Sequence, residues 1–456
     1  MAYNPDEPIF DEQPKTSIVP IIGVDEKPKK WWNTIFYAWQ ITLVDFTPFI
    51  WAGMFVSLAG LPDTVVPVMI RACFVAMGFA TLMQTTFGNR LAIVQGPSAA
   101  VLTAMGGVTA IYGFAAMWGA VIVGGLLEFF IGASRILGKI KKFIPPVVAG
   151  SMVASIGFVA ARIAVTWIFA NPRPLYLTLS AVAFILALIL KFKFKGFLSN
   201  CFVLISVLTV GVLGASILGV YNWEAVKAAP LFALPQFFPF RDASVSGMSS
   251  AVVFSVAAIV GGFIGYICSI IESIGDYAAT CAVSNKTFTV KHVNRGIATE
   301  GAACFMGSFI GALPTTSYTQ NIGIIASTGI ASRFVTQVAA VMFLLYGLSP
   351  KLAMLLAAMP RGVIGAVFFI SAGLIMFSGL EIILSDKRNM GNTIVAGSTM
   401  GASVMIPLHA ATAGAAWAAT LAPFTRMLIT NNIFLAAVVG ILMNILVNII
   451  LKPKDN

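Results

Sequence analysis

Apolar stretches long enough to cross a lipid bilayer recur along nearly the whole 456-residue chain. A helix needs about 20 apolar residues to span the hydrocarbon core. Hydrophobic residues make up 59% of the sequence and charged residues 10%, whereas soluble domains carry about 25% charged residues. Soluble chains of this size divide into domains with polar faces. The sequence therefore predicts an all-α membrane protein that crosses the bilayer many times.

The apolar stretches divide into fourteen predicted spans, which put both termini on the same side of the membrane. The spans cover residues 35–60, 64–87, 91–110, 114–133, 145–169, 175–190, 198–220, 249–277, 296–312, 319–331, 334–349, 361–384, 391–408 and 431–451. Twenty Lys and Arg residues then lie on one face and six on the other. Basic loops stay in the cytoplasm, so we expect cytoplasmic termini and an inner-membrane location.

The net positive charge of the chain is explained by this topology. The net charge of +11 is concentrated in loops on the cytoplasmic face, so it does not indicate a nucleic-acid partner. Residues 1–30 are polar and contain five prolines, among them Pro5, Pro8 and Pro14, with mixed charges. Such a composition cannot bury much apolar surface, and we expect a flexible cytoplasmic tail.

Two short similarities link the halves of the chain. Residues 144–150 (IPPVVAG) resemble residues 359–365 (MPRGVIG) at an offset of 215. A Gln–Thr pair with a spacing of eight residues begins at Gln95 and again at Gln320, at an offset of 225. Seven spans per half would give the halves opposite orientations, which is the inverted-repeat plan of many secondary carriers. Chance similarity between Gly- and Pro-rich segments is the alternative, but the two similarities together favour duplication.

The predicted third and tenth spans are the least helix-like. Residues 90–95 and 313–320 are short, and each precedes an apolar stretch that is too short to cross alone. Irregular backbone is tolerated at membrane depth only where it is buried in protein or lines a wet cavity. We expect short extended segments that lead into half-helices, whose free N–H groups point at the bilayer centre. Two such half-helices would form a polar pocket for a transported solute.

Three of the carboxylates in predicted spans are the main candidates for the site. Glu272 is deep in a long apolar span, Asp276 follows one helical turn later on the same face, and Glu300 opens the next span. A carboxylate in hydrocarbon is costly and is by default a functional candidate. It can carry a proton across or accept hydrogen bonds from a solute. Asp276 at a helix end and Glu300 at the interface have structural alternatives, and Asp45 is a weaker candidate.

Residue types that often form catalytic or metal sites give no pattern in this sequence. Five cysteines are scattered without a CxxC pair, as expected for small buried side chains. His292 and His409 are far apart. The sequence has no HExxH motif and no metal-ligand spacing, so we expect neither an enzyme nor a metal or other cofactor. Paired broken spans also suit a gated site better than an open channel.

Residues 320–329 (QNIGIIASTG) resemble the signature of the nucleobase–ascorbate transporter family, also called nucleobase:cation symporters. That signature is Gln, Glu or Pro, then Asn-x-Gly, four residues of any kind, Thr, and Arg, Lys or Gly. Residues 272–277 (ESIGDY) are similar to the family's eighth-span motif, and Glu300 lies 20 residues before Gln320, as the ninth-span acid does. Residues 90–99 resemble the third-span segment. The resemblance covers the chain from about the first span to the last and is closest to bacterial xanthine and urate permeases.

This resemblance implies fourteen spans in two inverted seven-span repeats, with short strands in broken spans 3 and 10. A core of spans 1–4 (residues 31–133) and 8–11 (residues 249–350) would move against a gate of spans 5–7 (residues 134–248) and 12–14 (residues 351–456). The motion would be elevator-like, within a homodimer. The implied substrate-binding residues are Glu272, Gln320, Thr319, Asn321, Gly96, Ser98 and Ala99. The implied proton-coupling residues are Glu272, Asp276 and Glu300.

The first signature residue implies the substrate. In the family, Gln there goes mostly with purines such as xanthine or urate, Glu with uracil, and Pro with ascorbate. A Gln amide both donates and accepts hydrogen bonds, whereas a carboxylate only accepts. Gln320 therefore implies import of a purine by proton symport, with sodium as the other possible coupling ion and uracil or another nucleobase as the alternative. A sulfate-type anion carrier shares the fold, but Glu272 would repel an anion.

Overall fold

The architecture is described by a computed structural model, which defines residues 6–8, 19–135, 137, 145–241, 252–384, 386 and 389–451. Three features of the sequence prediction lie outside these residues. They are residues 1–5 and 9–18 of the predicted tail, the predicted domain boundary at 248–249, and eight of the twenty basic residues on the predicted cytoplasmic face.

Helices dominate both halves of the chain. The first half contains α1 (Trp31–Val44), α2 (Pro48–Ala59), α3 (Val65–Thr86), strand β1 (Gln95–Pro97), α4 (Ala99–Tyr112), α5 (Phe114–Ser134), α6 (Pro146–Ile168), α7 (Pro174–Lys193), α8 (Phe197–Asn200), α9 (Phe202–Ser206), a π-helix (Val207–Gly214), α10 (Ala215–Ile217), α11 (Trp223–Ala228) and a 3₁₀ turn (Pro239–Arg241). The second half contains α12 (Val256–Val283), α13 (Val290–Ser308), strand β2 (Thr315–Ser317), α14 (Thr319–Thr328), α15 (Arg333–Gly347), α16 (Pro350–Ala357), α17 (Arg361–Leu384), α18 (Met390–Ala411), α19 (Ala415–Thr420), α20 (Pro423–Thr430), α21 (Asn432–Asn444) and a π-helix (Ile445–Leu451). Proline, which suits the first turn of a helix because it lacks the N–H that would be unpaired there, opens α2, α6, α7, α16 and α20.

The number of membrane-crossing helices is lower than the sequence prediction when only length and apolarity are counted. In the described part of the chain nine helical segments qualify, and the pair of α15 and α16, bent by 80°, makes a tenth if it is one span. One of the nine joins α1 and α2 across a break. The other four predicted spans coincide with short or more polar helices, namely α4, the stretch from α9 to α10, α13 and α14.

Helices of the first half recur in the second half at a nearly constant interval. The first residues of paired helices are Ala99 and Thr319 (α4 and α14, offset 220), Phe114 and Arg333 (α5 and α15, offset 219), Pro146 and Arg361 (α6 and α17, offset 215), and Pro174 and Met390 (α7 and α18, offset 216). A single duplication would produce such a series. The matching starts therefore support the internal repeat that the sequence predicted.

The long helices α6 and α17 cross at close range through glycines of the first sequence similarity. A Cβ atom on Gly150 would lie 2.6 Å from Gly379 O, and one on Gly365 would lie 2.7 Å from Ala164 O. A larger residue at either position would push the backbones apart, because packed interiors have little free space. The two similar segments thus make equivalent contacts at opposite ends of one helix pair.

Residues 19–30 pair with the main body of the protein. The backbone N–H groups of Ile21 and Ile22 donate to Gly329 O at 2.8 and 3.1 Å, and Ala331 N donates to Ile22 O at 2.9 Å. Gly329 has a positive φ of 71° and ends α14, so its carbonyl is turned toward the N-terminal segment.

Charge holds the same segment in place. Asp25 forms ion pairs with Lys286 Nζ at 2.6 Å and with Arg333 Nε at 2.9 Å. The hydrogen bond from Lys286 is the main reason that the pKa of Asp25 lies below its ordinary value, and Arg333 adds to the effect. The sequence predicted a flexible tail here, whereas residues 19–30 are paired. Their partners lie more than 250 residues away in the chain, beyond the reach of local composition.

Candidate functional site

The two predicted broken spans contribute a short antiparallel strand pair in the interior. Strand β2 lies within the predicted extended segment 313–320, whereas β1 overlaps the predicted segment 90–95 only at Gln95. Strand β1 pairs with β2 so that Gln95 faces Ser317 and Pro97 faces Thr315. Two hydrogen bonds extend the ladder, from Ser98 N to Pro314 O at 2.8 Å and from Tyr318 N to Val94 O at 2.9 Å. All six strand residues are buried. The prediction of strands in the two broken spans is confirmed, and the pairing satisfies their backbone groups away from water.

Each strand leads directly into a short helix. Ser98 caps α4, because its side chain accepts a hydrogen bond from Val101 N. No side chain caps α14, which begins at Thr319. The first four N–H groups of a helix lack partners within the helix and carry partial positive charge. The two helices therefore start beside the strand pair with N–H groups that a ligand can use.

The positions of these helix starts change the alignment of the two halves that the second sequence similarity implied. Gln95 lies in strand β1, before α4 begins, whereas Gln320 lies in the first turn of α14. The equivalent positions of the two halves are Ala99 and Thr319, at an offset of 220. The offset of 225 was therefore wrong, because a Gln–Thr spacing in short polar segments is too weak a pattern to fix an alignment.

Gly96 allows the two halves to approach each other. A Cβ atom at this position would lie 2.6 Å from the hydroxyl oxygen of Tyr318 and 2.7 Å from its Cε1. The ring of Tyr318 is buried against the strand, and its hydroxyl accepts a hydrogen bond from Thr47 Oγ1 at 3.1 Å. Thr47 belongs to the break between α1 and α2, so this contact joins the first helix pair to the strand pair.

Helix α12 brings two of the predicted carboxylates to the strands. Asp276 accepts hydrogen bonds from Ser317 Oγ at 2.8 Å and from Thr319 Oγ1 at 2.9 Å. Its side chain is buried inside the helix bundle, well before α12 ends at Val283. Asp276 therefore fixes the end of β2 and the start of α14. The sequence analysis left open a structural role for Asp276 at a helix end, but Asp276 does not lie at the end of α12.

Glu300, on α13, is the best-satisfied acid of the site. Ser273 Oγ donates to it at 2.8 Å and the Tyr277 hydroxyl at 2.9 Å. Gln95 donates to it at 3.1 Å when its amide is oriented with the nitrogen toward the carboxylate, the orientation that also satisfies Thr316 O. Glu300 is 1% exposed, so it is enclosed by protein side chains. The sequence prediction did not include Ser273, Tyr277 or Gln95 in this network.

Glu272 and Gln320 differ from the other polar residues of the predicted site, because the described residues supply no hydrogen bond to Glu272 Oε2 or to the Gln320 amide. Glu272 lies next to Asp276 and Glu300, and its Oε2 is buried with no hydrogen-bond partner among the described residues. Gln320 is exposed and its amide makes no hydrogen bond within the described part of the chain. Asn321 by contrast is buried, and its amide nitrogen donates to Ala92 O.

The remaining predicted residue, Ala99, is the first residue of α4 and is 9% exposed. Nearby, Ser98 Oγ donates to Ser269 Oγ at 3.3 Å, one turn before Glu272. The segment around Gly96, Ser98 and Ala99 is thereby connected to the helix that carries the acids. Among the described residues, no group of His, Cys, Asp and Glu has a geometry that could hold a metal ion.

A family model described as a permease family matches residues 32–412, which include both broken spans and every candidate site residue. The chain belongs to the nucleobase–ascorbate transporter family. It is therefore a multi-pass membrane permease and not an enzyme. The resemblance that the signature, the eighth-span motif and the ninth-span acid suggested is confirmed at the level of the family.

Two relatives from one organism match 82% and 61% of this permease. The uric acid permease PucJ of Bacillus subtilis is 28% identical over 388 residues, 82% of this chain and 83% of the relative. The uracil permease of the same organism is 34% identical over 296 residues, 61% of this chain and 65% of the relative. The transmembrane domain of the cyanobacterial bicarbonate transporter BicA has a similar structure, with a TM-score of 0.56 at 13% identity, covering 92% of this chain and 99% of that domain. At such low identity the likeness concerns the fold alone.

Proposed function

We propose that this permease imports a nucleobase, preferably a purine such as xanthine or urate, by proton symport. One observation carries the proposal. The start of α4 contacts α12 at Ser269 and the uncapped start of α14 contacts it at Asp276, one turn to either side of Glu272. Glu272 is half-buried, and its buried Oε2 has no partner among the described residues. A buried polar atom without a partner is costly, and a planar solute with ring N–H groups supplies the missing donor. Relatives that transport uric acid and uracil support this class of substrate.

The binding roles follow from the hydrogen-bonding capacity of each group. Glu272 accepts from ring N–H groups, and the Gln320 amide donates to a ring carbonyl and accepts from an N–H. The backbone N–H groups at Thr319 and Ala99 face a polar edge of the ring. Asn321 keeps α14 in position through Ala92, while Gly96 and Ser98 give the opposing strand its close approach and its helix cap.

Proton coupling is assigned to Glu272, Asp276 and Glu300. The three carboxyl groups are mutual electrostatic neighbours, and nearby like charges oppose simultaneous ionisation. A proton on Glu272 removes repulsion within this group, and a bound base then hydrogen-bonds the protonated acid. Substrate and proton consequently stabilise each other in the site. Sodium is the alternative coupling ion.

Alternating access is assigned to a core of spans 1–4 and 8–11 that moves against a gate of spans 5–7 and 12–14, with fourteen spans in two inverted repeats. Contacts between these proposed parts on the outer side support a closed outer face. Asp63 pairs with Arg361, and Trp167 Nε1 donates to Ser57 Oγ at 2.9 Å. An elevator-like homodimer in the inner membrane, with cytoplasmic termini, completes the proposal.

Uptake into proteoliposomes tests proton symport. Under an inward proton gradient, wild-type protein should accumulate radiolabelled xanthine or urate, and a protonophore should abolish the accumulation. Glu272→Gln should lose gradient-driven accumulation and remain folded, because the amide keeps the shape of the protonated acid. Glu381→Gln, the same change at an exposed acid of α17, should transport normally. Accumulation by Glu272→Gln at the wild-type level would remove the coupling role of Glu272.

A competition panel of xanthine, urate, hypoxanthine, guanine, adenine, uracil and ascorbate tests substrate choice. Gln320→Glu should shift the preference from purines toward uracil by at least about tenfold, since it replaces a donor–acceptor pair with an acceptor. Gln236→Glu, in an exposed loop, is the matched control. An unchanged rank order would exclude contact between Gln320 and the base. Uptake of sulfate or bicarbonate without any nucleobase would favour the anion-carrier alternative.

A further inference from the structure

Glu128 is a buried acid that the proposed site does not use. It lies in the interior of α5, in an apolar stretch (GGLLEFFIG), and its side chain is fully buried. Neither of its carboxyl oxygens has a hydrogen-bond partner among the described residues. Burying an ionisable group without a partner is costly, and such a group within a membrane-spanning helix is by default a functional candidate.

A close helix crossing sets Glu128 beside Glu300. A Cβ atom on Gly301 would lie 2.7 Å from the backbone carbonyl carbon of Glu128, and one on Gly125 would lie 2.6 Å from Phe305 N. Helices α5 and α13 therefore touch through glycines at the level of both acids. Glu300 acts electrostatically on Glu128, which makes the two acids a pair formed by neighbouring helices.

The titratable groups around Glu128 come from each helix packed against α5. Helix α13 presents Glu300 and Cys304, and α12 presents Tyr266 and Tyr277. Helix α4 has Tyr112 as its titratable residue and carries no charged side chain.

The hydrogen atoms of these neighbours are directed elsewhere. The Tyr266 hydroxyl donates to Val121 O at 2.9 Å, the Tyr277 hydroxyl to Glu300 at 2.9 Å, and the Cys304 thiol to Thr315 O at 3.3 Å. Basic side chains are absent from this group of neighbours. None of these described neighbours can therefore compensate a negative charge on Glu128.

The protein consequently stabilises different protonation states of the two acids. Glu300 receives donors from Ser273, Tyr277 and Gln95, and a carboxylate with several donors is stable when ionised. The Cys304 thiol lies close enough to Glu128 to act on it, but its hydrogen is directed to Thr315 O, and no other described residue donates to Glu128. An ionised Glu128 would therefore lack the donors that Glu300 has. Of the two acids, Glu300 is therefore the better placed to carry a negative charge and Glu128 the better placed to carry a proton.

We propose that Glu128 and Glu300 share one exchangeable proton, and that Glu128 holds it in the conformation described here. The proton leaves a carboxyl oxygen of Glu128 and binds a carboxyl oxygen of Glu300. Glu128 then becomes the carboxylate and Glu300 the neutral acid, so the charge of the pair is unchanged. Serine hydroxyls lie between Glu300 and Asp276. The Oγ atoms of Ser317 and Ser273 are 3.1 Å apart, and Ser317 Oγ lies 2.8 Å from Asp276, so its single hydrogen can be donated to either partner.

This inference rests on the proposed proton symport, and one experiment separates the two. Proteoliposomes containing a pH-sensitive dye are used to measure proton movement and xanthine uptake together over a range of pH. Wild-type protein should move protons with xanthine. Glu128→Gln, which cannot release a proton, should take up xanthine with a reduced proton-to-xanthine ratio and with a pH midpoint shifted by about one unit or more. Glu381→Gln should match the wild type in both measurements.

Each outcome bears on a different claim. Xanthine uptake by wild-type protein without proton movement overturns proton symport and this inference with it. Proton movement that Glu128→Gln leaves unchanged overturns the inference alone, as does lower uptake by that variant with the wild-type pH midpoint, which indicates a packing role. If Glu128→Gln does not fold, Glu128→Asp keeps an exchangeable proton on a shorter side chain. Its pH midpoint should shift, and an unchanged midpoint would overturn the inference.

Discussion

A single methyl group added at Gly96 should disturb the site without altering any of the proposed proton-binding residues. The new Cβ atom would lie 2.6 Å from the hydroxyl oxygen of Tyr318 and 2.7 Å from its Cε1. Carbon atoms in ordinary contact are about 3.5–4.0 Å apart. The Tyr318 ring or strand β1 must therefore move by about 1 Å to accommodate Gly96→Ala.

The surroundings of Tyr318 resist this movement. Its N–H bonds Val94 O at 2.9 Å, and its hydroxyl accepts from Thr47 at 3.1 Å. Forcing an extra methyl group into a packed interior costs about 1–3 kcal/mol. Because Tyr318 directly precedes Thr319, a displacement also moves the start of α14. Misplacement of a binding group by about 1 Å can lower function by roughly 100-fold, so we expect a greater loss in uptake than in stability.

Thermal unfolding in detergent and xanthine uptake measure the two effects. Gly275→Ala is the matched control, because a Cβ atom at Gly275 would meet nothing within 4 Å. This substitution in the interior of α12 should leave uptake unchanged and stabilise the helix by up to about 1 kcal/mol. If Gly96→Ala unfolds and transports like the wild type, the strand pair does not hold the site in the way described here.

The remaining predictions concern contacts outside the site. Asp63→Asn should change the free energy of unfolding by at most about 1 kcal/mol, because both partners of the Asp63–Arg361 pair are substantially exposed; a greater change in the melting curve would contradict this. A double-mutant cycle of Trp167→Phe and Ser57→Ala should give a coupling of about 1 kcal/mol from their hydrogen bond, and additive effects would show that the bond contributes nothing. Because the pKa of Asp25 is lowered from 3.8, its pairs stabilise the fold above that pH and are lost as the pH falls. Asp25→Asn should therefore melt earlier than the wild type at pH 7 and converge with it below pH 3.8; a constant difference would exclude the ion pairs as the cause.

Much of the helix pattern could be predicted because apolar runs and prolines mark it directly. Helix α17 has the predicted bounds of 361–384, since Pro360 stops the preceding segment and the polar residues after 384 end the apolar run. Strands in the two broken spans were predictable because the segments at 90–95 and 313–320, with the short apolar stretches after them, cannot form full spans. The break at residues 45–47 was not, because the apolar run continues through it from α1 to α2.

Site residues could be predicted from the sequence where their type is rare in membrane helices. They could not be predicted where their type is common there. Glu272, Asp276 and Glu300 are conspicuous as acids in apolar surroundings. Ser273 and Tyr277 bind Glu300, but Ser and Tyr are common in membrane helices and give no signal of their own. Glu128, like Glu272, is an acid within an apolar span, and the sequence analysis overlooked it. Two leucines precede it and two phenylalanines follow it, so it should have been a candidate.

The pairing of β1 with β2 also has a consequence for biosynthesis. Strand β1 emerges from the ribosome long before Thr315–Ser317 has been translated. Until then its backbone amides lack their partners, and lipid cannot replace them. The nascent first half must shelter this segment from the acyl chains, through water, the insertion machinery or its own helices. Translation arrested before β2 should consequently leave a species that is prone to degradation, whereas two separately expressed halves have the means to recognise each other.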